Sequence, residues 1–193
     1  MRIISGEYKG IQLDALKNNN TRPTSDKVKE SMFNIITQDV LSHRICLDLF
    51  AGSGGLGIEA ISRGAARVFF IDGSYPAIKI IQQNINKLKG LASERSEVYR
   101  TDYKRAIKAL SKRDIKLDVV FLDPPYRKGL IKDALKLLHE YHVLNTGAHI
   151  MIEAESSLAL NDDEELLVTY QYEYKSRHPY GDIQLHYLIY HGS

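Results

Sequence analysis

Between residues 44 and 153, short apolar runs alternate with stretches whose apolar positions recur at helical spacing. The runs predict strands at about 45–50, 67–72, 97–101, 117–122 and 147–153. The periodic stretches predict helices at about 55–63, 75–89, 103–112 and 129–142. Alternation of this kind requires right-handed crossovers, a mostly parallel sheet and helices on both of its faces. Both ends depart from it. Near the start, Arg2-Ile3-Ile4 and Ile11-Gln12-Leu13 are short strand-like runs around Gly6 and Gly10, followed by the polar Lys17-Asn18-Asn19-Asn20. A helix should then begin near Ser25, which can cap it, with Val28, Met32, Phe33, Ile35 and Ile36 as its apolar stripe and Lys27 and Lys29 outside. Near the end, Leu166–Tyr174 and Asp182–Tyr190 read as extended runs separated by Arg177-His178-Pro179-Tyr180-Gly181, an antiparallel pair at one side of the sheet. Tyr170, Tyr172 and Tyr174 alternate there and suit sheet packing. Asp162-Asp163-Glu164-Glu165 reads as a solvated acidic loop.

Composition narrows this picture only a little. The chain has 193 residues, 44% hydrophobic and 26% charged, enough for one large domain with a sizeable core. A net charge of +2 does not by itself indicate a nucleic-acid partner, so any such claim needs local clustering. Cys46 is the single cysteine, which excludes an intrachain disulfide, and its setting between Ile45 and Leu47 suits a buried small side chain. The start lacks a signal-peptide core, and no run reaches about 18 apolar residues. A cytoplasmic protein is expected. His139 and His142 lie i, i+3 on a helix without a companion carboxylate pair, so no metal site is expected.

Chemistry concentrates at the carboxyl ends of the predicted strands. Asp123-Pro124-Pro125-Tyr126 follows the buried run Val119–Leu122. Two prolines stop the strand and remove two N–H donors, leaving a turn rich in carbonyl acceptors between a carboxylate and an aromatic ring. That suits a planar group bearing an amine. The first strand leads into Asp48-Leu49-Phe50-Ala51-Gly52-Ser53-Gly54-Gly55-Leu56-Gly57, where Gly52, Gly54 and Gly57 satisfy G-x-G-x-x-G with Asp72 ending the next strand. Alone, the pattern also fits a dinucleotide site. Charge separates the two. Asp48, Asp72, Asp102 and Asp123 fall at or beyond four successive strand ends, the edge where open α/β sheets bind ligands. A diphosphate would be repelled by Asp48, whereas the sulfonium and ammonium of S-adenosylmethionine suit a carboxylate-lined crevice. The cofactor set is then Asp48, Phe50, Ala51, Gly52, Ser53, Gly54, Asp72, Gly73, Asp102 and Tyr103. In it Gly52 and Gly54 admit close backbone approach, Asp48 supports the ammonium directly or through water, Asp72 takes the ribose hydroxyls and Asp102 the adenine amine. Asp72 and Asp102 equally suit helix N-termini.

Glycine loop and Asp123-Pro124-Pro125-Tyr126 together resemble the class I S-adenosylmethionine-dependent methyltransferases. Arg2-Ile3-Ile4-Ser5-Gly6, Tyr8-Lys9-Gly10, Arg22-Pro23-Thr24-Ser25-Asp26-Lys27-Val28-Lys29-Glu30-Ser31-Met32-Phe33-Asn34, Gly129-Leu130 and Tyr180-Gly181-Asp182 are similar to signatures of the RsmD family. The resemblance implies a Rossmann-like fold with a seven-stranded, mostly parallel sheet and an antiparallel C-terminal hairpin. It further implies an RNA-contacting N-terminal appendage over 1–24 and a methyltransferase domain over 25–193. The implied reaction is methylation of the N2 amine of a guanine in the 16S ribosomal RNA of the small subunit (guanine 966 in the family). The chain departs from the resemblance at Asp72-Gly73-Ser74, where many relatives carry Glu, and over 155–176.

A guanine amine is a weak nucleophile because its lone pair is delocalised into the ring. Acceptance of its hydrogens by the Asp123 carboxylate and Pro124 carbonyl, with Tyr126 stacked on a flipped-out base, would orient it without a covalent intermediate. Phosphates require cations. Arg2, Lys9, Arg22, Lys27, Arg127 and Lys128 are the expected RNA contacts, whereas Arg95, Arg100, Lys104, Arg105, Lys108, Lys112 and Arg113 fit a solvated face. Adenine-N6 or protein-glutamine methylation uses the same tetrapeptide and is the alternative. A nicotinamide oxidoreductase leaves the tetrapeptide unexplained, and a non-catalytic RNA-binding factor would tolerate a damaged loop.

Overall fold

A computed structural model describes residues 1–16, 26–125 and 129–192. After α1 (Asp26–Ile35) and the short α2 (Gln38–Leu41), the chain runs β1 (Ile45–Asp48), α3 (Gly55–Ser62), β2 (Arg67–Asp72), α4 (Tyr75–Asn86), β3 (Ser96–Arg100), α5 (Tyr103–Lys112) and β4 (Leu117–Leu122). It continues through α6 (Leu130–Glu140), β5 (Leu144–Glu155), α7 (Glu164–Thr169), β6 (Tyr172–Tyr180) and β7 (Ile183–Tyr190). The seven strands form one sheet in the order β3-β2-β1-β4-β5-β7-β6, with β1 to β5 parallel and β7 antiparallel to both neighbours.

The strands are apolar runs because helices cover both faces. Alternate residues feed two cores. Cys46, Val68, Phe70, Val119 and Phe121 join Met32, Phe33, Ile58, Ile61 and Ile81 on one face. Leu47, Phe69, Val120 and Leu122 join Ile107, Leu110, Leu135 and Leu138 on the other. Burial on both sides erases the polar alternation that marks a half-exposed sheet.

The first 16 residues double back on themselves, with Ile3 N–H bonded to the Ile11 carbonyl and Leu13 N–H to the Met1 carbonyl. They form one antiparallel bridge, Arg2 to Gln12, and fold as a strap against α3 and α4. Ile3, Tyr8 and Leu13 enter the core on the α3 and α4 face of the sheet. A cluster that local sequence does not announce holds the strap down. Glu59, fully buried on α3, accepts from the N–H groups of Ile4 (2.8 Å) and Ser5 (3.0 Å) and from Nε of Arg63 (2.9 Å). Its other cation is Lys29 at 3.2 Å. Lys29, expected outside the stripe of α1, is buried and donates to the Arg2 carbonyl at 2.5 Å. The cause is tertiary pairing, which offsets part of the cost of burying the ammonium.

Two expectations for the C-terminal half need correction. Leu166 to Thr169 are helical, because Asp163 accepts from the N–H of Leu166 and caps α7. The acidic run is thus a short turn and a helix start, with Asp163 ion-paired to Lys132. The segment expected to separate the two strands is itself strand. β6 continues through Arg177–Tyr180, and the turn falls at Gly181 and Asp182. Pro179 is tolerated because β6 is an edge strand. Ser25, the expected cap of α1, lies outside the described residues; Val28, Met32, Phe33 and Ile36 form the buried stripe as expected.

Candidate active site

The site is built on the carboxyl ends of β1, β2 and β4. After Asp48 the chain continues the ladder for three residues, with Leu49 N–H bonded to the Phe121 carbonyl (3.2 Å) and Ala51 N–H to the Ile71 carbonyl (2.9 Å). It then turns through Gly52 and Gly54, whose φ values of +55° and +81° lie in the left-handed region that side chains disfavour. A Cβ on Gly52 would meet nothing within 4 Å, so the loop there faces open space. Gly57 serves another need. A Cβ on it would lie 2.3 Å from the Phe70 ring, so α3 touches β2 with bare backbone.

That close approach brings Gly57 N–H to 2.9 Å from the Asp48 carboxylate. Asp48 is 1% exposed, beneath the loop rather than in an open crevice. Burial pushes its carboxyl up to about 7; the Gly57 hydrogen bond opposes this and the charge of Asp72 adds to it. Asp72 spans two loops, accepting from Gly52 N–H at 2.9 Å and Ser74 N–H at 2.8 Å. Each oxygen retains acceptor capacity for a ribose hydroxyl. Asp102 caps α5, accepting from Arg105 N–H at 3.0 Å, with the Arg105 guanidinium 3.4 Å away. The cap role is therefore filled, with half of the side chain still exposed. Phe50 and Tyr103 face each other with ring centroids 5.5 Å apart, and the Tyr103 hydroxyl donates to Asp133 on α6 at 2.6 Å.

Asp123, half-buried, follows β4 directly; Pro124 is buried and Pro125 exposed. Phe121, two residues earlier, pairs with Asp48, so the acceptor turn stands on the strand beside the glycine loop. Asp48, Asp72, Asp102 and Asp123 thus share one sheet edge. Tyr126, Arg127, Lys128 and Arg22 lie outside the described residues. Arg2 is exposed 3.7 Å from Asp26, and Lys9 and Lys27 are exposed. His139 sits 3.1 Å from the Tyr190 hydroxyl in an aromatic cluster, and no metal-binding cluster occurs among the described residues. Two residues of this region escape sequence reasoning. Asp133 is hidden in the first turn of α6. Asn84, fully buried, donates to the Ser53 carbonyl in the glycine loop at 2.9 Å. Its signal is a lone amide in the apolar stripe Ala77, Ile78, Ile81, Ile85.

A sheet of this order, with a glycine loop after its first strand and carboxylates along its carboxyl edge, defines a class I S-adenosylmethionine-dependent methyltransferase. The family described as conserved hypothetical protein 95 matches residues 1–188. Ribosomal RNA small subunit methyltransferase D of Haemophilus influenzae is 38% identical over 160 residues, 83% of this chain and 81% of that protein. Its Escherichia coli namesake is 34% identical over 155 residues, covering 80% and 75%. The solved structure of HI0767 from H. influenzae superimposes with a TM-score of 0.78 at 30% identity, over 99% of this chain and 98% of that one. The chain belongs to the RsmD family.

Proposed function

We propose that this protein transfers the methyl group of S-adenosylmethionine to the exocyclic N2 amine of a guanine in the 16S ribosomal RNA of the small subunit, guanine 966 being the position the family resemblance carries. The relatives' names support ribosomal RNA of the small subunit as the substrate. The observation that carries the amine chemistry is the Asp123-Pro124-Pro125 turn directly after β4, on the strand paired with the one that feeds the glycine loop. The residues fit the donor. Gly52 leaves backbone open to it, Asp72 holds acceptors at the end of β2, and the edge carries negative charge.

When bound, S-adenosylmethionine supplies an electrophilic methyl group on a cationic sulfur. The chain's own work is orientation. Asp123 and the Pro124 carbonyl accept the two amine hydrogens, hold the nitrogen toward the donor and favour its pyramidal form. Asp48 and Asp72 supply the field for a cation, and Phe50 with Tyr103 walls the adenine side. The strap over 1–16 is the described part of the proposed RNA-contacting appendage over 1–24, with Arg2 and Lys9 exposed on it and Lys27 exposed on α1.

The test is labelled methyl transfer onto small subunits from a methylation-deficient strain, with the modified base mapped. Label on guanine N2 supports the reading; label on adenine N6 or on protein glutamine replaces it. Asp123→Ala should lower transfer by about 100-fold or more while retaining cofactor affinity. Full activity of that variant would overturn the mechanism.

A further inference from the structure

Asn84 stands on α4 with no exposure, and both polar atoms of its amide are hydrogen-bonded. Its Oδ1 accepts from the Asp14 N–H at 2.8 Å; its Nδ2 donates to the Asp14 carbonyl at 3.0 Å and to the Ser53 carbonyl at 2.9 Å. Asp14 lies near the end of the strap: its carboxylate pairs with Lys87 at 2.7 Å, and Lys87 also donates to the Gln12 carbonyl. Ser53 lies between the two left-handed glycines, where side chains give no purchase. The strap also reaches the loop by packing. Leu13 N–H bonds the Met1 carbonyl, and Met1 lies so close to Gly55 that a Cβ there would come within 2.5 Å of its sulfur.

We propose that Asn84 is a positioning residue that fixes the glycine loop to the N-terminal strap, making cofactor binding and the order of the strap's Asp14 end one coupled event. The argument is one of satisfaction. A buried primary amide has one acceptor oxygen and two N–H donors, and here one strap residue takes two bonds and one loop residue the third. Neither end can shift without stranding a buried polar group. A ligand that orders Ser53 therefore also orders Asp14, and by linkage whatever orders the Asp14 end of the strap favours that ligand equally. Helix α4 acts as the rigid post between them. The strap's opposite end is independently held by Ser62, whose Oγ accepts from Tyr8 N–H at 2.9 Å and donates to the Ser5 carbonyl at 2.6 Å. Loosening Ser62 weakens the strap without touching the loop.

This inference rests on the proposed cofactor, and the experiment separates the two. S-adenosylhomocysteine is titrated calorimetrically, and backbone amide exchange is followed with and without it. In the wild type, S-adenosylhomocysteine should slow exchange at Leu13 and Asp14. Asn84→Ala should raise its Kd about tenfold, leave kcat at saturating S-adenosylmethionine within about threefold, and abolish the protection at Leu13 and Asp14. Asn84→Asp, which keeps the acceptor for Asp14 N–H but loses both donors, should share the affinity loss. Ser62→Ala should lower the melting temperature yet leave Kd within about twofold. Wild-type affinity in Asn84→Ala, or an equal loss in Ser62→Ala, would overturn the coupling. A wild-type protein that binds no S-adenosylhomocysteine would instead overturn the cofactor reading itself.

Discussion

Replacing Glu59 by Ala tests whether the strap belongs to the folded core. The carboxylate is fully buried, and both oxygens are doubly engaged. One accepts Ile4 N–H at 2.8 Å and faces Lys29 at 3.2 Å; the other accepts Ser5 N–H at 3.0 Å and Arg63 Nε at 2.9 Å. Alanine leaves two cations without their anion and two N–H groups without an acceptor. Breaking a buried pair by removing one partner costs about 3–5 kcal/mol. Each stranded N–H adds about 1–3 kcal/mol unless water reaches it. Two features moderate the sum. Arg63 keeps the Phe33 ring, 4.7 Å from its guanidinium carbon, and Lys29 keeps the Arg2 carbonyl. The strap can also peel away and hydrate Ile4 and Ser5. We expect a loss of about 4 kcal/mol, read as a drop in the urea midpoint at constant slope.

The pH dependence sharpens the same test. Burial holds the Lys29 ammonium below its ordinary range, with Glu59 pulling it back up. Between a depressed native value and about 10.4 in the unfolded chain, the unfolded state binds more protons, so stability rises with pH. Without Glu59 the native value falls further, and this alkaline rise should begin at lower pH and be larger. A loss under about 1 kcal/mol with an unchanged alkaline limb would refute the reasoning.

Asp72→Ala removes acceptors at the end of β2 together with the bond that fixes Gly52. Calorimetry should register a loss of S-adenosylhomocysteine affinity of about 10- to 100-fold, and an unchanged Kd would sink the ribose assignment. Asp48, raised to about 7 in the fold, binds more protons folded than unfolded between about pH 4 and 7, so it makes stability fall as pH rises through that window. The fall should amount to about 4 kcal/mol and be absent in Asp48→Asn, which keeps an acceptor for Gly57; matching stability–pH curves would contradict the shift. A cationic ligand favours the ionised carboxylate, so S-adenosylmethionine should release protons on binding near pH 6.5, measured as heats that differ between buffers.

What was legible in the chain tracks what is settled locally. β1, β2 and β4 read clearly because runs such as Val68-Phe69-Phe70-Ile71 are buried on both faces, and turn residues bound them. The glycine loop and Asp123-Pro124-Pro125 read clearly because each uses backbone chemistry peculiar to Gly or Pro. The strand expected over Leu166–Tyr174 fails because apolar Leu166, Leu167 and Val168 fit either period. Only the Asp163 cap decides, and within its acidic run Asp163 reads equally well as a solvated acid. Lys29 fails for another reason. Its partner lies 30 residues away, on α3, and no pattern within α1 contains it. Asn84 was visible as a misfit in an apolar stripe, but its purpose depends on Ser53 and Asp14, distant in sequence on both sides.

The ion pairs also bear on where RNA would dock on so nearly neutral a chain. In the Arg95–Arg113 cluster most cations face a carboxylate: Arg95 pairs with Glu7, Lys104 with Asp133, Arg105 with Asp102 and Arg113 with Glu97. Exposed pairs of this kind hold by about 0–1 kcal/mol and would yield to a phosphate, but their anions stay and cancel the long-range field. Lys9 and Lys27 are exposed and have no ion pair among the described residues, and Arg2 has only a 3.7 Å approach to Asp26. Among the described residues, cations without a carboxylate partner therefore remain in both places: Lys9 and Lys27 beside the strap and at the start of α1, and Arg100, Lys108 and Lys112 on the α5 side. Under the proposed function, charge reversal at Lys9 and Lys27 should reduce the salt dependence of subunit binding, while reversal at Lys108 and Lys112 should change it less. Under the proposed function and the proposed coupling, the strap would serve both ends of the reaction: its outer surface would meet the RNA, and its inner edge, through Asn84, the loop proposed to hold the methyl donor.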